Sequence, residues 1–166
     1  MSEAWTEYES PLGLLTIVVS SEGALTALRF PGGSAPDQAD RRPLPEVTAQ
    51  LDEYFAGARQ DFDLTIELRG NPFQLRVWER LREIPYGKTA SYGKIAADLD
   101  EAAFPADLEP HERARAVGTE IGRTPVPIVV PCHRVLGADG SLTGYGGGLE
   151  RKQALLDLES DQLVLC

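Results

Sequence analysis

The sequence predicts an α+β protein made of two domains, a small α/β domain at residues 1–70 and a mostly helical domain at residues 71–166. Residues 5–30 are rich in strand-forming side chains and contain a turn signal at residues 20–23. After residue 70, apolar side chains recur at helical spacing instead. A chain of 166 residues with 42% hydrophobic residues is long enough to bury a core.

The first domain is predicted to combine strands with one helix. Its predicted elements are strands at residues 14–19, 24–30 and 62–68, a loop rich in Pro and Gly at residues 31–45, and a helix that carries Leu44, Val47 and Leu51 and ends at Gly57. No residue pattern in this domain indicates chemistry. We therefore interpret it as a scaffold.

The second domain is predicted to begin with a helix at Asn71 and Pro72, a pair that suits the N-cap and the first helical position. Ser91 is the predicted cap of a short second helix, and a third helix is predicted from about Glu112. Two short helices followed by a helix of small residues resemble a helix-turn-helix, although ordinary helix packing gives the same pattern. A last helix is predicted at Glu150–Glu159.

The charge distribution restricts where nucleic acid could bind. A net charge of −10 argues against a protein that holds nucleic acid by bulk electrostatics. Residues 1–70 carry 12 acidic and 5 basic side chains, whereas residues 71–166 carry 14 acidic and 11 basic ones. Any DNA binding is therefore predicted for the second domain, through local positive charge.

The sequence lacks the usual patterns of membrane, secreted and zinc proteins. No stretch has the length of a transmembrane helix, and the acidic N-terminus does not resemble a signal peptide. Two cysteines do not make a disulfide framework, and the two cysteines and two histidines lack the close-spaced pairs of a typical structural zinc site. We therefore expect a cytoplasmic protein with no membrane partner and no bound metal.

The run Pro125–Leu136 is the strongest candidate for a site. Its three prolines exclude a helix, and it ends in Cys132, His133 and Arg134. A cysteine becomes a good nucleophile when a neighbouring base removes its proton. Adjacent side chains of an extended segment point to opposite faces, so His133 is predicted to act on the thiol through a bridging water. An inert core cysteine is the alternative reading.

Two further features accompany this run. Glu159 in the last predicted helix is the candidate carboxylate that orients the imidazole of His133. The loop at residues 140–148 contains Tyr145 among several glycines, which allow close backbone approach to another group. We interpret it as a loop that covers a ligand, with a flexible hairpin tip as the alternative.

The C-terminal motifs resemble those of the O6-alkylguanine-DNA alkyltransferases, also called methylated-DNA–protein-cysteine methyltransferases. The resemblance runs from Asn71 to Glu159. Its motifs are Ile84-Pro85-Tyr86-Gly87, Ser91-Tyr92-Gly93, Ala114-Arg115-Ala116-Val117-Gly118, the run Pro125–Val135, with the signature Pro131-Cys132-His133-Arg134-Val135, and Gly144-Tyr145-Gly146-Gly147-Gly148. The first 70 residues match the family's variable first domain in layout and in Ser10-Pro11-Leu12-Gly13.

The resemblance implies a fold and a single-turnover reaction. The first domain would be ribonuclease-H-like, and the second would contain a winged-helix-like helix-turn-helix. The protein would act as a monomer on duplex DNA that contains O6-alkylguanine, approach it through the minor groove and flip the damaged base into a pocket. It would then transfer the alkyl group irreversibly to Cys132. No cofactor is implied, because the lesion itself is the alkyl donor.

The resemblance also assigns roles to single residues. Arg115 would enter the base stack, and Tyr92 would donate to guanine N3 and help to rotate the nucleotide. His133 would be the water-linked base, with Glu159 as its orienting partner. Three small residues would keep the recognition helix slim: Ala114, Ala116 and Gly118. The substrate pocket would be formed by Tyr145, Gly146, Val135 and Pro127.

The chain departs from the family pattern at two places. The family usually has an asparagine eight residues before the cysteine, where it couples the recognition helix to the active-site loop, and this chain has Thr124 there. A threonine hydroxyl can supply one hydrogen-bond donor and one acceptor, but not the forked amide of asparagine. The connection at residues 98–112 is also longer than usual and acidic, which should weaken DNA binding if it lies near phosphates. The alternative, favoured by the intact motifs on either side, is an excursion that points away from DNA.

Two other functions stay open at this point. A non-catalytic relative that binds DNA lesions would keep the fold, but such relatives usually lack the cysteine that this chain has at position 132. A thiol hydrolase that uses Cys132 and His133 would turn over many times and would need no DNA-binding helix.

Overall fold

The computed structural model describes residues 2–164. The chain divides into two compact units. The first unit comprises Met1–Leu68 and Pro125–Val129, and the second comprises Arg69–Thr124 and Val130–Cys166. The short segment Pro125–Val129 therefore belongs with the N-terminal part of the chain, although it lies within the sequence of the second unit.

The first unit is built on a four-stranded sheet with the strand order β3-β2-β1-β4. The strands are β1 (Ala4–Ser10), β2 (Gly13–Val19), β3 (Leu25–Arg29) and β4 (Asp40–Arg41). β1, β2 and β3 pair antiparallel in sequence order, and β4 joins β1 in parallel. Most of β2 is buried, because side chains on both faces of this central strand are covered.

One helix, α1 (Pro45–Phe55), completes the first unit. Pro45 stands at its start, where the missing N–H costs nothing. Its apolar stripe buries Val47, Leu51 and Tyr54. Tyr54 also contacts Phe62, with ring centroids 5.2 Å apart.

The strand predicted at residues 62–68 is wrong in extent. This segment forms one parallel bridge, between Leu25 and Ile66, and two backbone hydrogen bonds with Leu25. Its side chains alternate between half-buried and exposed, as the sequence pattern predicted. Alternation predicts an extended, half-buried backbone, but a ladder also needs a partner edge along its whole length.

The segment Pro125–Val129 is buried and strained. The Leu28 backbone N–H donates to the Pro125 carbonyl at 2.9 Å. Val126 and Ile128 are almost fully buried. Ile128 has a φ of 75°, which a β-branched residue adopts only when the surrounding structure enforces it, at a cost of about 1–3 kcal/mol.

The second unit is mostly helical. Its elements are α2 (Pro72–Leu81), β5 (Ala90–Ser91), α3 (Tyr92–Asp98), α4 (Arg113–Ile121), β6 (Val135–Leu136) and α5 (Leu149–Val164). Asn71 caps α2 in a capping box with Gln74, and Ser91 caps α3. The last helix is longer than the predicted Glu150–Glu159. Cys166 lies outside the described residues.

α3 and α4 pack against each other as a helix pair with a long connection. The connection contains two short 3₁₀ turns, Glu101–Ala103 and Pro110–Glu112. Phe104 anchors it, since this side chain is buried and its ring centroid lies 5.5 Å from that of Phe73 on α2. The acidic connection is thus packed on its own unit through an apolar contact.

The predicted α+β class is confirmed, with a mixed sheet followed by helices. Within residues 2–164, no helix is long and apolar enough to cross a membrane. The backbone at Cys132–Arg134 differs from the extended form that the sequence predicted, because these residues form a 3₁₀ turn. Pro131 precedes that turn, and β6 follows it directly.

Candidate active site

Local backbone structure places Cys132 in a fixed, buried position. The Cys132 N–H donates to the Val130 carbonyl at 2.8 Å, and only 4% of the residue is exposed. Immediately after the turn, β6 pairs in parallel with β5, so that Val135 lies opposite Ala90. This pairing ties the cysteine turn to the start of α3, which is the helix that carries Tyr92.

A buried ionic cluster lies on the side of His133 and Arg134. The imidazole Nε2 of His133 is 2.8 Å from Oε2 of Glu159, and neither residue is more than 1% exposed. Arg134 donates to both carboxylate oxygens of Glu159, from Nε at 2.8 Å and from a terminal nitrogen at 2.9 Å. Its other terminal nitrogen donates to the Ile84 carbonyl at 2.6 Å.

The electrostatics of this cluster fix its protonation. Burial raises the pKa of Glu159, but hydrogen bonds from His133 and Arg134 outweigh burial and hold the pKa at about 2. Burial lowers the pKa of His133, more than the adjacent carboxylate raises it. An ionised Glu159 only accepts hydrogen bonds, so a neutral His133 carries its proton on Nε2. Nδ1, which has no hydrogen-bond partner among the described residues, is then the basic nitrogen.

The Cys132 thiol is protonated at neutral pH in this structure. Burial raises its pKa to about 11. The side chains of Thr124 and Tyr145 and the positive charge of Lys152 act in the opposite direction and lower this pKa. A thiolate therefore needs help from its surroundings.

An open cavity of about 690 Å³ lies between α3, α4 and the loop at residues 143–146. Its lining contains these residues: Tyr92, Ala114, Arg115, Gly118, Thr119, Gly122, Arg123, Thr143, Gly144, Tyr145 and Gly146. Six of the predicted DNA-binding or pocket residues thus share one cavity. Its volume falls in the range of small-molecule sites.

Two close approaches shape this cavity. The Tyr92 hydroxyl lies 3.5 Å from the Gly144 carbonyl, which it can reach only in a weak hydrogen bond. Where α4 passes the Tyr92 ring, a Cβ added to Gly118 would lie 3.4 Å from the ring. Arg115 projects from the same helix as an exposed side chain, and its guanidinium has no ion pair among the described side chains of residues 2–160.

The other predicted residues lie outside the lining of this cavity. Ala116 is half-buried on α4 and, like Val135, lies outside the cavity lining. Pro127 belongs to the first unit, within Pro125–Val129. Thr124 lies just after α4, where its hydroxyl donates to the Ile121 carbonyl at 2.6 Å. The roles assigned to these residues stay predictions.

Sequence reasoning missed two charged residues of the site, Arg134 and Lys152. The motif contains Arg134 but does not indicate its partner, because its contact with Glu159 spans 25 residues. Lys152 is fully buried on α5. Its spacing of seven residues from Glu159 places both side chains on one face of the helix, and that spacing was the available signal. Among the described residues, no cluster of metal-ligating side chains is present.

The acidic connection after α3 is held by arginines of its own unit. Asp98 accepts from Arg80 at 2.6 Å, and the Arg113 guanidinium pairs with Glu101 at 3.1 Å and stacks over the Phe104 ring at 4.8 Å. Hydrogen bonds from Arg80 and Lys94 lower the pKa of Asp98. Part of the local positive charge of the second unit is therefore neutralised internally.

Comparisons with known proteins agree with this two-part organisation. Residues 4–68 match the model of the 6-O-methylguanine DNA methyltransferase ribonuclease-like domain, and residues 72–161 match that of the 6-O-methylguanine DNA methyltransferase DNA binding domain. These matches define a protein with a ribonuclease-like part followed by a DNA-binding part. The chain belongs to the 6-O-methylguanine DNA methyltransferase family.

Individual relatives cover nearly the whole chain. A methylated-DNA–protein-cysteine methyltransferase of Mycolicibacterium paratuberculosis is 47% identical over 156 residues, which are 91% of this chain and 88% of the relative. One from Methanosarcina acetivorans is 40% identical over 92% of this chain and 95% of its own. The crystal structure of Mycobacterium tuberculosis OGT in complex with DNA is 43% identical, with a TM-score of 0.84 over 96% of this chain and 94% of that chain.

Proposed function

We propose that the protein repairs O6-alkylguanine in duplex DNA by transferring the alkyl group irreversibly to the sulfur of Cys132. The activity named for its relatives supports transfer from methylated DNA to a protein cysteine. The observation that carries the choice of Cys132 is that it directly precedes His133, whose neutral imidazole is oriented by the buried, ionised Glu159. We place the reaction in the cytoplasm, where the thiol stays reduced.

The chemistry is a single displacement at carbon. The thiol proton passes to His133 Nδ1 through a water molecule, which leaves a thiolate. The thiolate attacks the alkyl carbon, so that an S–C bond forms while the bond between that carbon and guanine O6 breaks. The electron pair stays on the guanine, which regains one proton. The products are an S-alkylcysteine and an unmodified guanine, and no step restores the thiol.

The base must reach the thiol outside the duplex. Extruding a nucleotide costs about a few kcal/mol, and contacts that replace it in the stack offset this cost. Arg115 is the residue proposed to enter the stack, because it is exposed on α4 at the rim of the cavity. Ala114 and Gly118 on the same helix present little bulk to a groove. Tyr92 is proposed to donate to guanine N3, and Tyr145 and Gly146 to line the base pocket.

Incubation with a duplex that contains O6-methylguanine tests the function directly. We expect one methyl group per protein, located by mass spectrometry on the tryptic peptide of residues 124–134, together with restored guanine in the DNA. Cys132→Ser is the matched control and should leave the lesion intact.

The same experiment separates the alternatives. A lesion-binding protein without chemistry would retain the duplex but leave both the lesion and Cys132 unchanged. A thiol hydrolase would process many substrate molecules per protein. Either result would contradict the proposed transfer.

A further inference from the structure

Lys152 is a fully buried cation to which the proposed chemistry gives no role. Its side chain is 0% exposed, and it lies on α5 two turns before Glu159. Its Nζ donates to the Thr143 carbonyl at 2.9 Å and lies 5.8 Å from the centroid of the Tyr92 ring. Both of these neighbours line the open cavity. The ammonium is therefore held by a carbonyl oxygen and an aromatic face, two groups that carry only partial negative charge.

This environment is costly for an ammonium. A buried charge normally has an ionised partner, as Arg134 has in Glu159. Among the described side chains, those of residues 2–160, no carboxylate pairs with Lys152, and the ionisable group that favours its charged form is Cys132. Burial lowers the pKa of Lys152, and the sulfur of Cys132 raises it. An anion that forms transiently on that sulfur would supply the missing counter-charge.

We propose that Lys152 is a positioning residue whose buried ammonium, held by Thr143 and Tyr92, is the counter-ion of the Cys132 thiolate. This inference rests on the proposed function only in taking Cys132 as the acceptor. The reciprocal effect is present, since the charge of Lys152 lowers the pKa of Cys132 against the larger effect of burial. The same charge opposes protonation of His133, which favours passing the thiol proton onward to the guanine.

The substitution Lys152→Met tests this inference without DNA. Methionine keeps an unbranched, apolar chain of similar length and removes the charge. Lys88→Met is the matched control, because Lys88 is exposed. Both variants and the parent are treated with iodoacetamide at pH 8, and alkylation of the peptides that contain Cys132 and Cys166 is followed by mass spectrometry. Cys166 serves as the internal reference for reagent and pH.

We expect Lys152→Met to slow alkylation of Cys132 about tenfold, because an opposite charge typically changes a pKa by about one unit or more and only the thiolate reacts. The substitution should lower the alkylation rate with anionic iodoacetate more than the rate with neutral iodoacetamide, because the positive charge near the sulfur is removed. Loss of packing alone would not change that ratio. The melting temperature should stay equal or rise, because a buried charge without an ionised partner has been removed.

The inference would be overturned if iodoacetamide alkylated Cys132 at the same rate in the parent and in Lys152→Met, and if the ratio of the iodoacetate rate to the iodoacetamide rate were also unchanged. The proposed function fails by a different result, namely an unmethylated Cys132 after incubation with the lesion-containing duplex. A protein whose thiol reactivity depends on Lys152 but which takes no methyl group from DNA would support the counter-ion and contradict the repair reaction.

Discussion

At the scale of single residues, Glu159 determines the charge state of the site. One carboxylate accepts hydrogen bonds from both His133 and Arg134, and all three side chains are buried. The ionised carboxylate selects the imidazole tautomer that leaves Nδ1 basic. A substitution at position 159 therefore changes two neighbours at once, and single-variant effects here will not add.

The depressed pKa of Glu159 predicts acid sensitivity. A carboxylate with a pKa of about 2 in the folded protein and an ordinary value of 4.5 stabilises the fold above pH 4.5. This contribution, about 3 kcal/mol in size, is lost as the pH falls from 4.5 to 2. The lowered pKa of His133 acts in the same direction below its ordinary value of 6.5.

Urea unfolding at a series of pH values checks this expectation. Glu159→Gln should flatten the decline of the unfolding free energy between pH 4.5 and 2, whereas the exposed control Glu83→Gln should keep the parent's slope. A Glu159→Gln variant with an undiminished slope would show that other groups cause the acid sensitivity.

Among the residues of the site, the sequence predicted the association of those that are neighbours in the chain. Cys132 and His133 are neighbours in the chain, so their association needed no tertiary information. Arg134 meets Glu159 only after α5 packs against the cysteine turn, and the contact of Lys152 with the Thr143 carbonyl spans nine residues. Neither residue belongs to a spacing pattern strong enough to name its partner. Whether each residue acts as assigned stays a prediction.

At the scale of elements, α4 combines small residues with one exposed arginine at the rim of the cavity. If Arg115 fills the space of the extruded base, Arg115→Ala should slow repair of duplex DNA about tenfold to a hundredfold, which corresponds to losing part of an extrusion cost of a few kcal/mol. Transfer from free O6-benzylguanine needs no extrusion and should keep its rate. Rate measurements on both substrates test this expectation.

One further variant sharpens that comparison. Arg115→Lys retains the charge but not the planar guanidinium, so a duplex rate close to that of Arg115→Ala would assign the effect to shape rather than to charge. Equal losses on duplex DNA and on the free base would show that Arg115 does not assist extrusion.

Elements with strong local signals were predicted well, and elements set by tertiary packing were not. Asn71-Pro72 and Ser91 predicted helix starts that the structure confirms, because caps act on adjacent backbone groups. Residues 62–68 lacked a partner edge and formed only a bridge. The turn at Cys132–Arg134 follows from packing on both sides of it, and three prolines upstream predicted only that a helix was excluded there.

At the scale of the whole molecule, the chain passes between its two units more than once. It leaves the second unit after Thr124, contributes Pro125–Val129 to the first, and returns at Val130, two residues before Cys132. A fragment of residues 69–166 would expose Val126 and Ile128, which are buried in the full chain. Exposing two such side chains costs about 3–6 kcal/mol.

We therefore expect the isolated 69–166 fragment to lose methyl transfer at least tenfold, measured with the lesion-containing duplex. Circular dichroism of the fragment shows whether its helices form. Adding residues 1–68 as a separate chain should restore part of the transfer. Full activity of the fragment alone would contradict this expectation.

The excursion of Pro125–Val129 also restricts how such proteins can be recombined. A chimaera with one crossover near residue 69 would join a foreign sheet to the native segment, and Leu28 could no longer be matched to Pro125. The misfit would arise at Pro125, seven residues before Cys132. A working exchange of the N-terminal unit should therefore transplant two pieces together, residues 1–68 and residues 125–129, as one inherited module encoded in separate parts of the gene.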